Sequence, residues 1–334
     1  MTTTAAPTSS MEAPVSPVTI SIAGFKEVYD IGQIEHALED LPPSANEALR
    51  ATYEKMIKAG GTRLAVKPAG LPSMDALYDE LPNFTEVLDD IRKQLALCTS
   101  SEDLLEIHPM LLLGEPGIGK THFGKRVANL LGTGFGFISM SSLTAGWVLS
   151  GSSSQWKNAK PGKVFETFLN GKYANPVMMV DEVDKSGGDT QYDPLGALYS
   201  LLEHDTAREF IDEFVELPID ASSAMWIATA NDASRIPEPI LNRMNVYEIE
   251  APDRNGASRI AIAIYAEIRN SHDWGRRFPE LPSDSVVEKL SALTPREMRR
   301  TIQSAFGNAK IAGRDEIHPE DVDGRNARRS RIGF

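Results

Sequence analysis

The sequence predicts an α/β fold in which a parallel five-stranded sheet is covered by helices, with a helical bundle after it and a small, mostly helical segment before it. Three observations predict this. Short apolar runs of β type at residues 110–113, 135–138, 177–180, 225–230 and 246–249 alternate with helical patterns, the texture of a buried parallel sheet. A glycine-rich loop stands between the first of these runs and a helix. Beyond Pro252, apolar residues recur only at helical spacing.

Taken in order, residues 1–17 are mostly Thr, Ser, Ala and Pro, with too little apolar surface to offset the entropy of ordering, and are expected to form a disordered tail. Residues 18–82 read as an accessory segment. It has helical patterns at 34–38 and 48–57, separated by Pro42 and Pro43 and closed by Gly60 and Gly61. The α/β unit is assigned to residues 83–250 and the helical bundle to 251–322, where Ile260, Ile264 and Ile268 fall four apart and Val286, Leu290 and Leu293 keep similar spacing. Thr294, Pro295 and Glu297 supply an N-cap, a proline at the first helical position and the reciprocal capping glutamate. They open a helix carrying Met298, Ile302, Ala305 and Phe306, with Arg296 in its first turn. Residues 323–334 are a basic tail.

Composition bounds the function. A chain of 334 residues with 41% hydrophobic content can bury a substantial core, and a net charge of -13 works against nucleic acid over most of the surface. No stretch approaches the roughly 20 apolar residues of a membrane span, and the first residues lack the pattern of a secretory signal, so the expected compartment is cytoplasmic. The single cysteine, Cys98, shares an apolar helical pattern with Leu95 and Leu97 and reads as packing. The six histidines show no metal-type spacing, so no zinc site is expected.

The chemistry sits in two motifs. Gly114, Glu115, Pro116, Gly117, Ile118, Gly119, Lys120 and Thr121 fit G-x-x-x-x-G-K-[ST] between a strand and a helix with Phe123, Val127, Leu130 and Leu131 on one face. Glycines let successive N–H groups turn toward phosphate oxygens, and the helix N-terminus adds partial positive charge. Lys120 is placed for the β and γ phosphates and Thr121 for Mg²⁺, while His122 contributes its backbone. The apolar run 177–180 then ends in Asp181 and Glu182, delivering two carboxylates to the edge of the sheet where open α/β folds bind ligands. Asp181 suits the metal's water shell and Glu182 the attacking water.

Further segments follow in a recognisable order: Asp181 to Lys185 as Asp-Glu-Val-Asp-Lys, Asp193 and Pro194 leading a helix, Phe214-Val215-Glu216-Leu217-Pro218, Ala228-Thr229-Ala230-Asn231, and Ile236-Pro237-Glu238-Pro239-Ile240-Leu241-Asn242-Arg243-Met244. Across residues 84–322 the chain resembles the ATPase module of Lon-type proteases within the AAA+ superfamily. The resemblance implies a P-loop αβα sandwich with a helical lid, ATP as the nucleotide, and a homo-oligomer, a hexameric ring. It makes Asn231 the sensor-1 residue, Arg243 the arginine finger reaching a neighbouring subunit, and Arg296 the sensor-2 arginine of the lid. Arg235 falls where the family has no arginine requirement, and Arg299 and Arg300 read as surface charges. Residues 155–163 align with the family's first pore loop, with Trp156 in the aromatic gripping position and Lys157 replacing an apolar residue beside it.

The sequence stops soon after the lid, which leaves no room for the family's serine-lysine peptidase domain, so intrinsic proteolysis is not expected. A motor that remodels or unfolds protein substrates is the leading expectation. A nucleic-acid-associated helper ATPase is the runner-up, suggested by Arg325, Arg328, Arg329 and Arg331. A nucleotide-switched regulatory assembly is the third.

Overall fold

The computed structural model describes residues 20–141, 145–186, 193 and 195–322. The predicted tails at 1–17 and 323–334, with Arg325, Arg328, Arg329 and Arg331, and Pro194 lie outside the described residues.

The chain opens with strand β1 (Ile20–Glu27), helices α1 (Ile31–Asp40) and α2 (Glu47–Ala59), and strand β2 (Thr62–Pro68). The helices stand where the apolar spacing predicts them, and Gly60 closes α2 at φ 75°, a conformation glycine adopts without strain. The two antiparallel strands were not expected, although helices still make up more of the segment than strands do. Arg63 and Lys67 break the apolar alternation of β2, yet Arg63 is buried and donates to the carbonyls of Phe168 and Leu169. Asn175 bonds the N–H and C=O of Val66 like one more strand residue. Through these bonds the segment joins the core that follows, and Val28, Tyr29, Ile34, Tyr53 and Met56 are buried in one cluster with Phe165, Phe168 and Phe214.

Helix α3 (Asp75–Glu80) and helix α4 (Thr85–Thr99) come next. Helix α4 buries Val87, Leu88, Ile91, Leu95 and Cys98 along one stripe. Leu97 points outward at 71% exposure, so Cys98 packs with Leu95 but not with Leu97.

The sheet is then built from β3 (Met110–Leu113), α5 (Lys120–Leu131), β4 (Phe135–Ser139), α6 (Ala145–Ser150), α7 (Lys163–Asn170) and β5 (Val177–Asp181). It continues through α8 (Leu198–Leu201), α9 (His204–Ala207), the short hairpin β6 (Phe210–Ile211) and β7 (Pro218–Ile219), β8 (Met225–Ala230), α10 (Glu238–Leu241) and β9 (Asn245–Glu248). The spatial order is β4-β5-β8-β3-β9, all parallel. Every residue of β8 is buried, as a central strand covered on both faces requires.

Three helices complete the described chain: α11 (Arg254–Asn270), α12 (Asp284–Leu290) and α13 (Pro295–Ile311). Their own core holds Ile260, Ile268, Val286, Leu290, Met298 and Phe306, with Ile264 and Leu293 partly buried. Thr294 and Glu297 form both reciprocal bonds of the capping box.

Candidate nucleotide site

Strand order decides where the chemistry converges. Since β8 lies between β5 and β3, its carboxyl end sits between the loop after β3 and the carboxylates after β5. Val180 pairs with Ala228, and Leu113 with Ala230, so Thr229 and Asn231 stand level with both motifs.

The loop needs glycine for two separate reasons. A Cβ on Gly114 would stand 2.3 Å from the Ile249 carbonyl oxygen, closer than any carbon can approach. Gly117 and Gly119 have φ of 87° and 108°, the left-handed side that L side chains rarely occupy. Gly119 caps α5, leaving the N–H groups of its first turn turned to the loop.

Lys120 is buried, and its ammonium donates to the carbonyls of Gly114 and Glu115 and, at 3.0 Å, to Asn231 Oδ1. Burial lowers its pKa from the usual lysine value, while Asp181, Asp184 and Glu182 oppose that shift. Thr121 Oγ1 donates to Asp181 Oδ1 at 3.2 Å, and Thr229 Oγ1 donates to the same oxygen at 2.7 Å. The Thr229 hydroxyl also accepts the Glu182 N–H at 3.0 Å. Glu182 has φ 59°, a left-handed backbone that costs a residue with a side chain about 1–3 kcal/mol. Asp184, buried behind it, accepts the Asn231 N–H at 3.2 Å through Oδ2, while Oδ1 has no partner among the described residues.

Lys120, Thr121, Asp181, Glu182, Thr229 and Asn231 line a cleft of about 1290 Å³, larger than the roughly 300–1,000 Å³ common for ligand pockets. Leu81, Ile118, Ile260 and Ile264 give its wall apolar surface, and Lys120, Thr121, Asp181, Glu182 and Asn231 give it polar groups. Arg296 also lines the cleft, and its backbone N–H donates to the Gly117 carbonyl at 3.3 Å, so the first turn of α13 touches the loop.

The His122 ring is engaged by Glu80 of α3, which takes His122 Nε2 at 2.6 Å and Arg126 at 2.8 Å. Burial works to raise the Glu80 carboxyl; His122 and Arg126 outweigh it and hold it below its usual value. Asp79, the preceding residue, takes Arg259 of α11 at 3.1 Å.

The structure does not bring every predicted residue to this cleft. Arg243 is absent from its lining; its Nε donates to Glu203 at 2.6 Å and its Nη1 to the Pro239 carbonyl at 2.7 Å. Trp156 and Lys157 also lie elsewhere, on a loop whose neck is closed by the Ser152 N–H to the Lys160 carbonyl. Trp156 is 39% exposed and meets Trp147 edge to face, ring centroids 5.0 Å apart. The loop's far end is held by Asp212, fully buried, which accepts Gly162 N–H at 2.7 Å and the N–H groups of Phe214 and Val215. Burial pushes the Asp212 carboxyl up to about 6, although the three backbone donors pull it down.

Sequence reasoning missed Thr229, Asp184, Glu80, Trp147 and Asp212. Thr229 and Asp184 sit inside the quoted motifs, so a polar residue one or two positions from a functional one was the available signal. Glu80 gave none, because only the path of α3 across the cleft places it there.

Residues 110–251 match the family described as AAA, ATPase family associated with various cellular activities. The Lon protease of Halothermothrix orenii is 30% identical over 224 residues, 67% of this chain and 28% of that protein. The mitochondrial Lon protease homolog of Schizosaccharomyces pombe is 37% identical over 140 residues, 42% of this chain and 13% of that protein. The chain thus spans little more than a quarter of such a relative's length at most. Among solved structures, the S. cerevisiae Hsp104:casein complex in its extended conformation superposes with TM-score 0.56 at 17% identity, over 71% of this chain and 46% of that one. A closed-state Hsp104 with ATPγS and FITC casein gives 0.52 at 15% identity, over 88% and 48%. These two bear on the fold. Among the described residues, no helix is long and apolar enough to cross a membrane.

Proposed function

Residues 110–251 are a domain of the AAA ATPase family related to the Lon ATPase module, and from that premise we propose that the chain is an ATP-hydrolysing ring motor acting on polypeptide substrates. One observation carries the reading: Lys120, Thr121, Asp181, Glu182 and Asn231 line one cleft, placed there by the carboxyl ends of three adjacent strands, β3, β5 and β8. A hydrolytic site needs that set, since a neutralised triphosphate and an oriented water must meet.

The donor set fits Mg²⁺, because the Thr121 hydroxyl and the Asp181 carboxylate are hard oxygens already converging on one another. Bound there, Mg²⁺ supplies charge neutralisation at the phosphates. The protein's own groups do the rest. Lys120 carries positive charge to the β and γ phosphates, whose negative charge opposes the burial that depresses its pKa. Glu182 accepts the hydrogen bond of the attacking water, and its strained backbone aims the carboxylate into the cleft. Asn231 bridges Lys120 and Asp184, accepting from the first and donating its backbone N–H to the second, and Arg296 brings the lid onto the phosphate end.

The relatives named as Lon proteases support a polypeptide client, and the exposed pair of Trp147 on α6 and Trp156 on the following loop offers apolar surface. A side chain of that kind can hold an extended chain without sequence preference and be moved as the lid angle changes.

The test uses three variants of the full chain. Lys120→Ala is expected to lose nucleotide binding, and Glu182→Gln to bind ATP while hydrolysing it at least ~100-fold more slowly. Trp156→Ala is expected to keep ATP turnover and lose ATP-driven unfolding of a tagged model substrate. Normal turnover in Glu182→Gln removes the hydrolytic reading, and unchanged unfolding in Trp156→Ala removes the gripping role.

A further inference from the structure

We infer that Glu203 is the positioning residue for Arg243, holding its guanidinium so that the outer edge meets the triphosphate bound to a second copy of this chain. The inference rests on the ring reading above and adds a residue to it.

Arginine has five N–H donors in a planar fork. In Arg243 the Nε hydrogen goes to Glu203 Oε1 and one Nη1 hydrogen to the Pro239 carbonyl. The other three, on Nη1 and Nη2, have no protein acceptor among the described residues. Those two nitrogens form the edge that grips a phosphate bidentately. Tyr199 lies against the guanidinium, 6.0 Å from ring centroid to carbon, so the plane is held as well as one edge. Leu201 and Leu202 are buried immediately before Glu203, which fixes the backbone that carries the carboxylate.

Two alternatives are weaker. A fold-stabilising ion pair is a poor account, since Glu203 is half exposed and pairs of that kind contribute little. Service to its own nucleotide is also excluded by placement, because Arg243 does not line that cleft, where Lys120 and Arg296 already stand. What remains is a cation oriented in advance, with its phosphate-binding edge left open toward a partner. An arginine otherwise free to rotate loses less freedom on binding when it is held beforehand.

The experiment measures ATP hydrolysis against ATP concentration for full-length Arg243→Ala, Glu203→Ala and Glu203→Gln. Arg243→Ala is expected to fall by roughly 10³-fold. Glu203→Ala should lose about 10-fold in kcat with KM for ATP little changed, and Glu203→Gln, which keeps an oxygen acceptor in place, should retain most activity. Glu203→Ala is then mixed with Glu182→Gln, whose subunits hydrolyse ATP far more slowly but carry an intact Glu203 and Arg243. Turnover per Glu203→Ala subunit should rise, since the neighbour now supplies a positioned arginine. Wild-type or faster turnover of Glu203→Ala beside an inactive Arg243→Ala overturns this inference alone. So does a slow Glu203→Ala that mixing fails to rescue, because the defect then lies in its own fold or cleft. An active Arg243→Ala instead overturns the ring reading beneath it.

Discussion

Thr229 donates its hydroxyl hydrogen to Asp181 Oδ1 at 2.7 Å, and its own Oγ1 accepts the Glu182 N–H at 3.0 Å. One side chain on the middle strand therefore sets both carboxylates, one through its oxygen and the other through its backbone. Thr229→Val keeps the shape and removes both bonds, leaving the partly buried Glu182 N–H without its acceptor. The expected cost is about 1–3 kcal/mol of stability, and a fall in ATP turnover of ~10-fold or more with nucleotide affinity nearly kept. Denaturant titration and steady-state hydrolysis read the two effects, and full turnover in the variant would show the bridge to be inert.

Gly114 and Gly307 make a matched pair. A Cβ on Gly114 meets the Ile249 carbonyl at 2.3 Å, whereas one on Gly307 meets nothing within 4 Å. Gly114→Ala is expected to destabilise the protein by about 1–3 kcal/mol. Gly307→Ala, inside α13, should stabilise it by roughly 0.5–1 kcal/mol through helix propensity alone. Thermal melts of the two variants give opposite signs; a shared sign would refute the packing account.

Asp212 gives a pH signature. Its folded pKa of about 6 stands above the usual carboxylate value of 3.8, so the folded state binds its proton more tightly than the unfolded chain does. Its contribution to stability is complete below the unfolded value and is lost as pH rises through about 6. Moving from pH 7 to pH 5 should gain on the order of 1 kcal/mol from this group. Asp212→Asn removes that slope, so wild type minus variant should grow on acidification. A difference independent of pH contradicts the assignment.

Glu80→Ala frees α3 from His122 and Arg126 at one wall of the cleft. Loss of two charge-assisted bonds of about 1 kcal/mol net effect predicts nucleotide release some ~5-fold faster, measured by displacement of a fluorescent ATP analogue. An unchanged release rate would mean the wall holds without it.

The five sheet strands were readable from their apolar runs to within one residue, because a strand buried on both faces has little freedom in composition. β1 and β2 were not. Their signal is diluted by Gly24, Arg63 and Lys67, and the burial of Arg63 depends on helix-end carbonyls of α7 more than 100 residues away. The same division holds in the cleft. Lys120, Thr121, Asp181 and Asn231 announce themselves by motif, and the structure brings them together. Glu80 and Asp212 act through position alone, so nothing local marks them. Leu97 shows the opposite error, an apolar residue that looks internal and faces outward.

Asp79 and Glu80 are consecutive, yet one holds Arg259 of α11 and the other holds His122 and Arg126 of α5. A single peptide unit thereby acts as the pivot of a lever whose arms rest on the two jaws of the cleft. If the jaws swing, one arm must yield or the short helix must turn as a body, carrying the chain ahead of it. Ion pairs on either side of one peptide bond thus tie both walls of the cleft to a single six-residue helix.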